Sequence, residues 1–313
     1  MDENSKLHVV IGTGPLGMAV MRELAARGRQ VRAVNRSGTA EVSADVQVVA
    51  GDVSDPTSAR EVCAAAKSIY LCAKPPYTEW PEMFPPIMDG AIDAAVVTGA
   101  KLIYADNVYA YGPFSGPLRE DMPYGAQGRK GKTRAQMAAK LIAMHEDGKV
   151  RATIGRTSDF YGPGVIESAV GERVFGFALA GKAASVRGNP NAQHTYTFLG
   201  DFARGLVTLG ERDEALGQVW LIPSADTVTT REFVNMVFEE IGAPSKLQAA
   251  PRWLISLVGI LNPTTRELKE MLYQSEQPIV VDHSKYKHAF GADTTPHPQA
   301  IRETLDWYRR VAR

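Results

Sequence analysis

Six residues, Gly12-Thr-Gly-Pro-Leu-Gly17, stand between an apolar run, "LHVVI" at 7–11, and an alanine-rich one, "MAVMRELAARG" at 18–28. GxGxxG between a strand and a helix permits few folds. Gly12 makes a tight turn, Gly14 lets backbone approach a pyrophosphate, and Gly17 lets the helix pack close on the strand. The helix N-terminus then faces the phosphate charge. Pro15 suits the first helical turn, where a missing N–H is no loss. Gly12, Thr13, Gly14, Pro15, Leu16 and Gly17 are therefore the first candidate cofactor contacts.

The alternation continues through "QVRAV" at 30–34, "VQVVA" at 46–50, "SIYLC" at 68–72, "KLIYA" at 101–105 and "RATIG" at 151–155, with helical stretches between most of them. Strands apolar on both faces predict a parallel sheet covered by helices on each side. After "YGPG" at 161–164 the rhythm changes to longer helical segments at 168–182, 198–212 and 231–243. The expected division is a nucleotide-binding domain over 1–160 and a mostly helical lobe over 161–313, with "QVWLI" at 218–222 able to return to the sheet.

The second strand ends in Asn35-Arg36-Ser37, where an NAD site usually places an acidic residue on the ribose 2′-hydroxyl. Arg36 instead suits a 2′-phosphate, with Asn35 and Ser37 as further donors, so NADP is expected over NAD. Asp52-Val53, after the third strand, is placed to hydrogen-bond and pack against an adenine, although Asp52 also suits a turn cap.

Composition narrows the partners. Of 313 residues, 44% are hydrophobic, and 35 basic residues balance 35 acidic ones. A net charge of zero leaves no electrostatic footprint for nucleic acid or an anionic membrane surface, and a small-molecule substrate is expected. The nine-residue apolar run "WLISLVGIL" at 253–261 is too short to span a bilayer. The polar opening "MDENSKL" shows no secretory signal. Cys63 and Cys72 suit a reducing compartment, so a cytoplasmic location is expected. No metal site is expected, since the histidines lack ligand spacing.

"GTGPLG", "GDVSD" at 51–55, "LIYADNVYAYGP" at 102–113, "GRTSDFYGPGV" at 155–165 and the aspartate of "TFLGDFARG" at 197–205 together resemble the extended, epimerase/dehydratase-like branch of the short-chain dehydrogenase/reductase superfamily. The resemblance covers nearly the whole chain. It implies a Rossmann-type doubly wound α/β domain, a smaller mostly helical C-terminal lobe, and a cleft at the carboxyl ends of the strands. It also implies that the loop "CAKPPYTEW" at 72–80, with Ala73, Lys74, Tyr77 and Trp80, lines the cofactor. Helices near 80–99 and 130–147 would serve a homodimer.

The family's chemistry uses a Ser or Thr, a Tyr and a Lys. Counting back from Tyr111-Gly112 places the Ser/Thr position on Asn107, which can orient a carbonyl but not relay a proton. Counting back from Arg156 places Tyr on Lys130 and Lys on Arg134; another count gives Gly128 and Lys132. The first is preferred because Met137, Leu141 and His145 then share an inward face. Neither count supplies a tyrosine. Lys130 is the candidate acid or base, Arg134 the candidate ribose contact, and Tyr111 a substitute phenol, with Tyr109, Tyr124, Tyr161 and Tyr196 as others. His194, in "NAQHTYTF", is a further candidate for proton transfer. The expectation is an NADP-dependent oxidoreductase or epimerase/dehydratase-like enzyme for a small oxygenated metabolite, with its triad replaced. The alternative is a non-catalytic NADP(H) sensor. A sugar-nucleotide epimerase with tight NAD is disfavoured by Arg36 and the missing tyrosine.

Overall fold

The structure is a computed structural model describing residues 6–250 and 269–311; the opening five residues and the apolar run at 253–261 lie outside the described residues. The chain divides into two compact units. The first comprises the chain to Tyr111, Ala126–Arg156 and Phe202–Ile222, and the second Gly112–Gly125, Thr157–Asp201 and the chain from Pro223. Segment 112–125 thus belongs to the second unit and segment 202–222 to the first.

The first unit is built on seven strands: β1 (Leu7–Ile11), β2 (Gln30–Asn35), β3 (Val46–Ala50), β4 (Ala66–Leu71), β5 (Lys101–Asn107), β6 (Arg151–Thr157) and β7 (Val219–Leu221). Their order is β7-β6-β5-β4-β1-β2-β3, and the registered pairs are parallel. The order reverses between β1 and β4, the switch point at whose carboxyl ends such sheets bind ligands. The helices are α1 (Pro15–Ala26), α2 (Pro56–Val62), α3 (Trp80–Thr98), α4 (Arg129–Glu146) and α5 (Leu199–Glu211). The helices α1 and α3 each bury a stripe rather than a whole surface, whereas α5 has no exposed residue. In α1 the buried residues are Gly17, Val20, Met21 and Leu24, the three-and-four spacing of one helix face. In α3 they include Trp80, Phe84, Met88, Ala91, Ile92 and Ala95, packed in the same core as β1, β4 and β5. Two prolines inside α3, Pro85 and Pro86, do not end it.

The second unit has an aromatic core. Tyr161 meets Phe233 edge-on with centroids 4.8 Å apart, and Phe175 stacks on Tyr308 at 5.8 Å. The helix Thr230–Glu240 opens with a full capping box between Thr229 and Glu232. The long helix expected over 168–182 is reduced to Phe175–Leu179. Glycine explains both ends: a Cβ on Gly171 would lie 2.1 Å from the Ile166 carbonyl oxygen, so turns occupy that segment, and Gly181 at φ +71° stops the helix. Among the described residues no helix is long and apolar enough to cross a membrane.

Candidate functional site

The glycine loop follows β1 at the switch point. A Cβ on Gly12, whose φ is +100°, would lie 2.7 Å from the backbone of Ala73, so the loops after β1 and β4 touch through glycine alone. A Cβ on Gly17 would lie 1.8 Å from the Gly12 carbonyl oxygen. Gly14, the N-cap of α1, meets nothing within 4 Å. Its backbone is therefore open to a close ligand, at the positive end of a twelve-residue helix. These three environments fit a dinucleotide pyrophosphate. They also separate two substitutions: Gly14→Ala is expected to leave thermal stability unchanged while weakening nucleotide binding. Gly17→Ala is expected to lower stability by about 1–3 kcal/mol or more through overpacking. Thermal unfolding and nucleotide titration of the two variants check this; equal behaviour would show that the loop is only a turn.

Asn35 knits the end of β2 to that loop. Its Nδ2 donates to Thr13 Oγ1 and to the Thr39 carbonyl, each at 2.8 Å, and its Oδ1 accepts from the Gly38 amide at 2.7 Å and the Ser37 hydroxyl at 3.1 Å. The expected role of Asn35 as a phosphate donor is thereby corrected, because its donors are used within the turn. Arg36 is exposed, and Ser37 is exposed beside it. Asp52 is exposed near Arg36; the Ser54 hydroxyl and amide, with Arg36 adding to them, hold its carboxyl below the usual carboxylate range. Val53 differs from expectation. It is 5% exposed in the hydrophobic core, with little surface for an adenine to cover. Ala73 packs on the glycine loop, and Lys74 is exposed.

The candidate catalytic residues gather at the carboxyl ends of β5 and β6. The first two turns of α4 bury Lys130, Gly131, Thr133 and Arg134, followed by Met137, Ala138 and Leu141. Lys132, required by the other count, is exposed, and Gly128 is the N-cap. His145 is half-buried, its Nδ1 3.0 Å from the Val150 carbonyl oxygen. Lys130 is 1% exposed, with Nζ 4.5 Å from the centroid of the Tyr77 ring. Arg134 turns inward: Nη1 donates to Tyr104 Oη at 2.5 Å and lies 3.3 Å from Asp106 Oδ1, while its guanidinium rests on Phe84 at 4.1 Å and Trp80 at 4.6 Å. The expectation that Arg134 fixes a ribose gives way to this interior role. Arg156 donates from Nε to Asp106 Oδ2 at 2.7 Å and lies over the buried Tyr111 ring at 4.8 Å. Burial raises the Tyr104 phenol above its ordinary value, so it stays neutral against Arg134. Asn107 Oδ1 accepts from the Tyr109 amide at 3.0 Å, which leaves its amide N–H groups as donors.

Several ionisable side chains are buried here. Lys130, Arg134 and Arg156 are buried, whereas Asp106, 3% exposed, is the buried carboxylate among the described residues of this unit. Aromatic faces return about 0.5–2 kcal/mol per cation. Burying an ion costs several kcal/mol even after relaxation. Sequence reasoning missed Tyr104 and Asp106. The available signal was a carboxylate at a strand's carboxyl end, next to Asn107.

The second unit holds the other candidates. Tyr161 Oη lies 3.0 Å from His297 Nδ1 and Tyr196 Oη 2.8 Å from Thr230 Oγ1, and burial raises both phenols. Tyr124 is exposed, and Tyr109 of the first unit stacks on Trp80. His194 Nε2 lies 3.2 Å from Asp159 Oδ2 in the wall of a small pocket that Arg187 and Gln274 also line. Burial alone would raise the Asp159 carboxyl, yet His194 and Arg187 bring it below its usual range.

A seven-stranded parallel sheet, a glycine loop at its switch point and polar groups at the ends of β5 and β6 define a nucleotide-binding α/β enzyme scaffold. The model of the NAD dependent epimerase/dehydratase family matches residues 9–222, and the chain belongs to that family. A 2-alkyl-3-oxoalkanoate reductase of Stenotrophomonas maltophilia is 26% identical over 255 residues, covering 76% of each chain. Two solved structures share the fold. The UDP-glucuronic acid 4-epimerase of Bacillus cereus, in complex with NAD, has a TM-score of 0.79 at 16% identity, covering 98% of this chain and all of that one. The UDP-N-acetylglucosamine 4-epimerase of Methanobrevibacter ruminantium has a TM-score of 0.81 at 14% identity, covering 98% and 99%.

Proposed function

We propose that this protein is a cytoplasmic NADP-dependent oxidoreductase acting at a carbonyl or hydroxyl carbon of a small oxygenated metabolite, with Lys130 in the tyrosine's place. The observation that carries this is the burial of Lys130 in the first turn of α4, one turn before Arg134, with Lys132 left exposed. The glycine loop and Ala73 would hold the dinucleotide, and Arg36 and Ser37 its 2′-phosphate. Bound there, a nicotinamide supplies or accepts hydride. In reduction, the Lys130 ammonium would give a proton to the substrate's carbonyl oxygen and regain one from water. Asn107 orients the same oxygen through its amide N–H groups. Arg134, Arg156 and Asp106 act beneath them, fixing the ends of β5 and α4. The name of the 3-oxoalkanoate reductase relative supports a carbonyl substrate.

Titration with NADPH, NADP⁺, NADH and NAD⁺ tests the reading, followed by quenching of the chain's four tryptophans. The phosphorylated pair is expected to bind more tightly, and Arg36→Ala to remove about ten-fold or more of that preference. If the pairs bind equally, NADP specificity fails; if none binds, the oxidoreductase reading fails. The inward commitment of Arg134 favours one other reading, an NADP(H) sensor. Such a protein would separate NADP⁺ from NADPH in affinity and turn over no carbonyl compound.

A further inference from the structure

Apart from proline, glycine is the poorest helix former, yet the third residue of α4 is Gly131, next to Lys130. We infer that Gly131 is a positioning residue for the proposed reaction: it seats the start of α4 on the turn after β5 and so sets Lys130 relative to Asn107. The inference rests on the roles given above to those two side chains. Its support is steric. A Cβ on Gly131 would lie 2.6 Å from the Tyr109 carbonyl oxygen and 2.5 Å from the Ala126 Cβ, closer than Cβ atoms come to any neighbour. Neither obstacle is the far end of a flexible side chain that could swing away. Gly131 has no positive φ, so space rather than backbone freedom calls for glycine here.

Tyr109 carries that contact into the site. Its carbonyl faces Gly131, its amide donates to Asn107 Oδ1 at 3.0 Å, and its ring stacks on Trp80 with centroids 5.8 Å apart. Trp80 in turn bears the Arg134 guanidinium at 4.6 Å. One residue of the turn Val108–Tyr111 therefore joins the first turn of α4 to the side chain that orients the substrate oxygen. With a methyl group on Gly131, the turn or the helix start must yield by about 0.8 Å before the carbonyl contact becomes an ordinary one. Lys130 and Asn107 then part from their native spacing, and a misplacement of about 1 Å at a reacting centre costs on the order of 10²-fold in rate.

Gly131→Ala in the full chain, alone and combined with Ala126→Gly, tests this. Hydrogen exchange at the Tyr109 amide is expected to quicken about ten-fold or more in the single variant and to return part of the way in the double one, where one of the two overlaps is gone; β1 should exchange as before. With ethyl 3-oxobutanoate as the carbonyl probe, NADPH oxidation by the single variant is expected to lose about 10²-fold in kcat at unchanged KM for NADPH, and the double variant to recover part of it. A glycine needed only for folding would lower the unfolding midpoint and leave kcat of the folded chain alone, and that result overturns the inference. Native exchange at Tyr109 overturns it as well. If Gly131→Ala does not fold, the double variant carries the same comparison with the native chain. If the native chain oxidises no NADPH with the probe while exchange at Tyr109 quickens in the variant, the proposed reaction fails and the seating of α4 stands, so the two failures are distinguishable.

Discussion

Asp106→Asn is expected to lower unfolding stability by about 3–5 kcal/mol, a large part of the roughly 5–15 that holds a typical domain together. The substitution keeps the shape and removes the charge. Arg156, with no exposed side-chain surface, loses the acceptor of its 2.7 Å bond, and Arg134 loses the carboxylate at 3.3 Å. Neither can be neutralised, because guanidinium stays protonated in proteins. The stacked rings of Phe84, Trp80 and Tyr111 remain, but they are already engaged. A contrast comes from Asp89, which pairs with Lys140 at 2.6 Å across α3 and α4 but is half exposed along with its partner. Solvent screens that pair, and Asp89→Asn is expected to cost a small fraction of the Asp106 effect. Urea unfolding of both variants measures the difference. Equal and small losses would mean that Arg134 and Arg156 are compensated by something other than Asp106.

The strands were legible because their chemistry is redundant. Residues apolar on both faces of β1, β2 and β4 leave a central parallel sheet as their economical arrangement, and the six early strands fall within two residues of the runs that suggested them. The glycine loop was legible for a related reason: the clashes a Cβ would make at Gly12 and Gly17 are local, so sequence spacing encodes them. The helix expected over 168–182 was not, since its alanines and valines conceal Gly171, which packs against the carbonyl of Ile166. In the site, α4 was legible by its period, which separates inward Lys130 and Arg134 from outward Lys132. Their partners were hidden by long-range pairing. Arg134 and Asp106 stand 28 residues apart, and Arg156 and Asp106 50 apart, so nothing in the local pattern joins them. Tyr77 over Lys130 is a contact of the same kind.

Lys130→Arg is the substitution that separates the charge of this residue from its proton. It keeps a cation in the first turn of α4 and removes the capacity to give up a proton near neutral pH. NADPH-dependent turnover of a carbonyl substrate should fall by about 10²–10⁴, the range of one positioned acid. Lys130→Met should lose turnover as well, with nucleotide affinity unchanged in either variant because the glycine loop is untouched. Lys130→Tyr restores the residue common in the family, yet it is not expected to restore turnover. A phenol near pKa 10 needs a neighbouring cation to act at neutral pH, and the residue one turn on, Arg134, is held by Tyr104 and Asp106. If Lys130→Arg turned over as fast as the native chain, the charge would suffice and the proton would come from elsewhere. The buried Tyr111 beneath Arg156 would then be the next residue to replace.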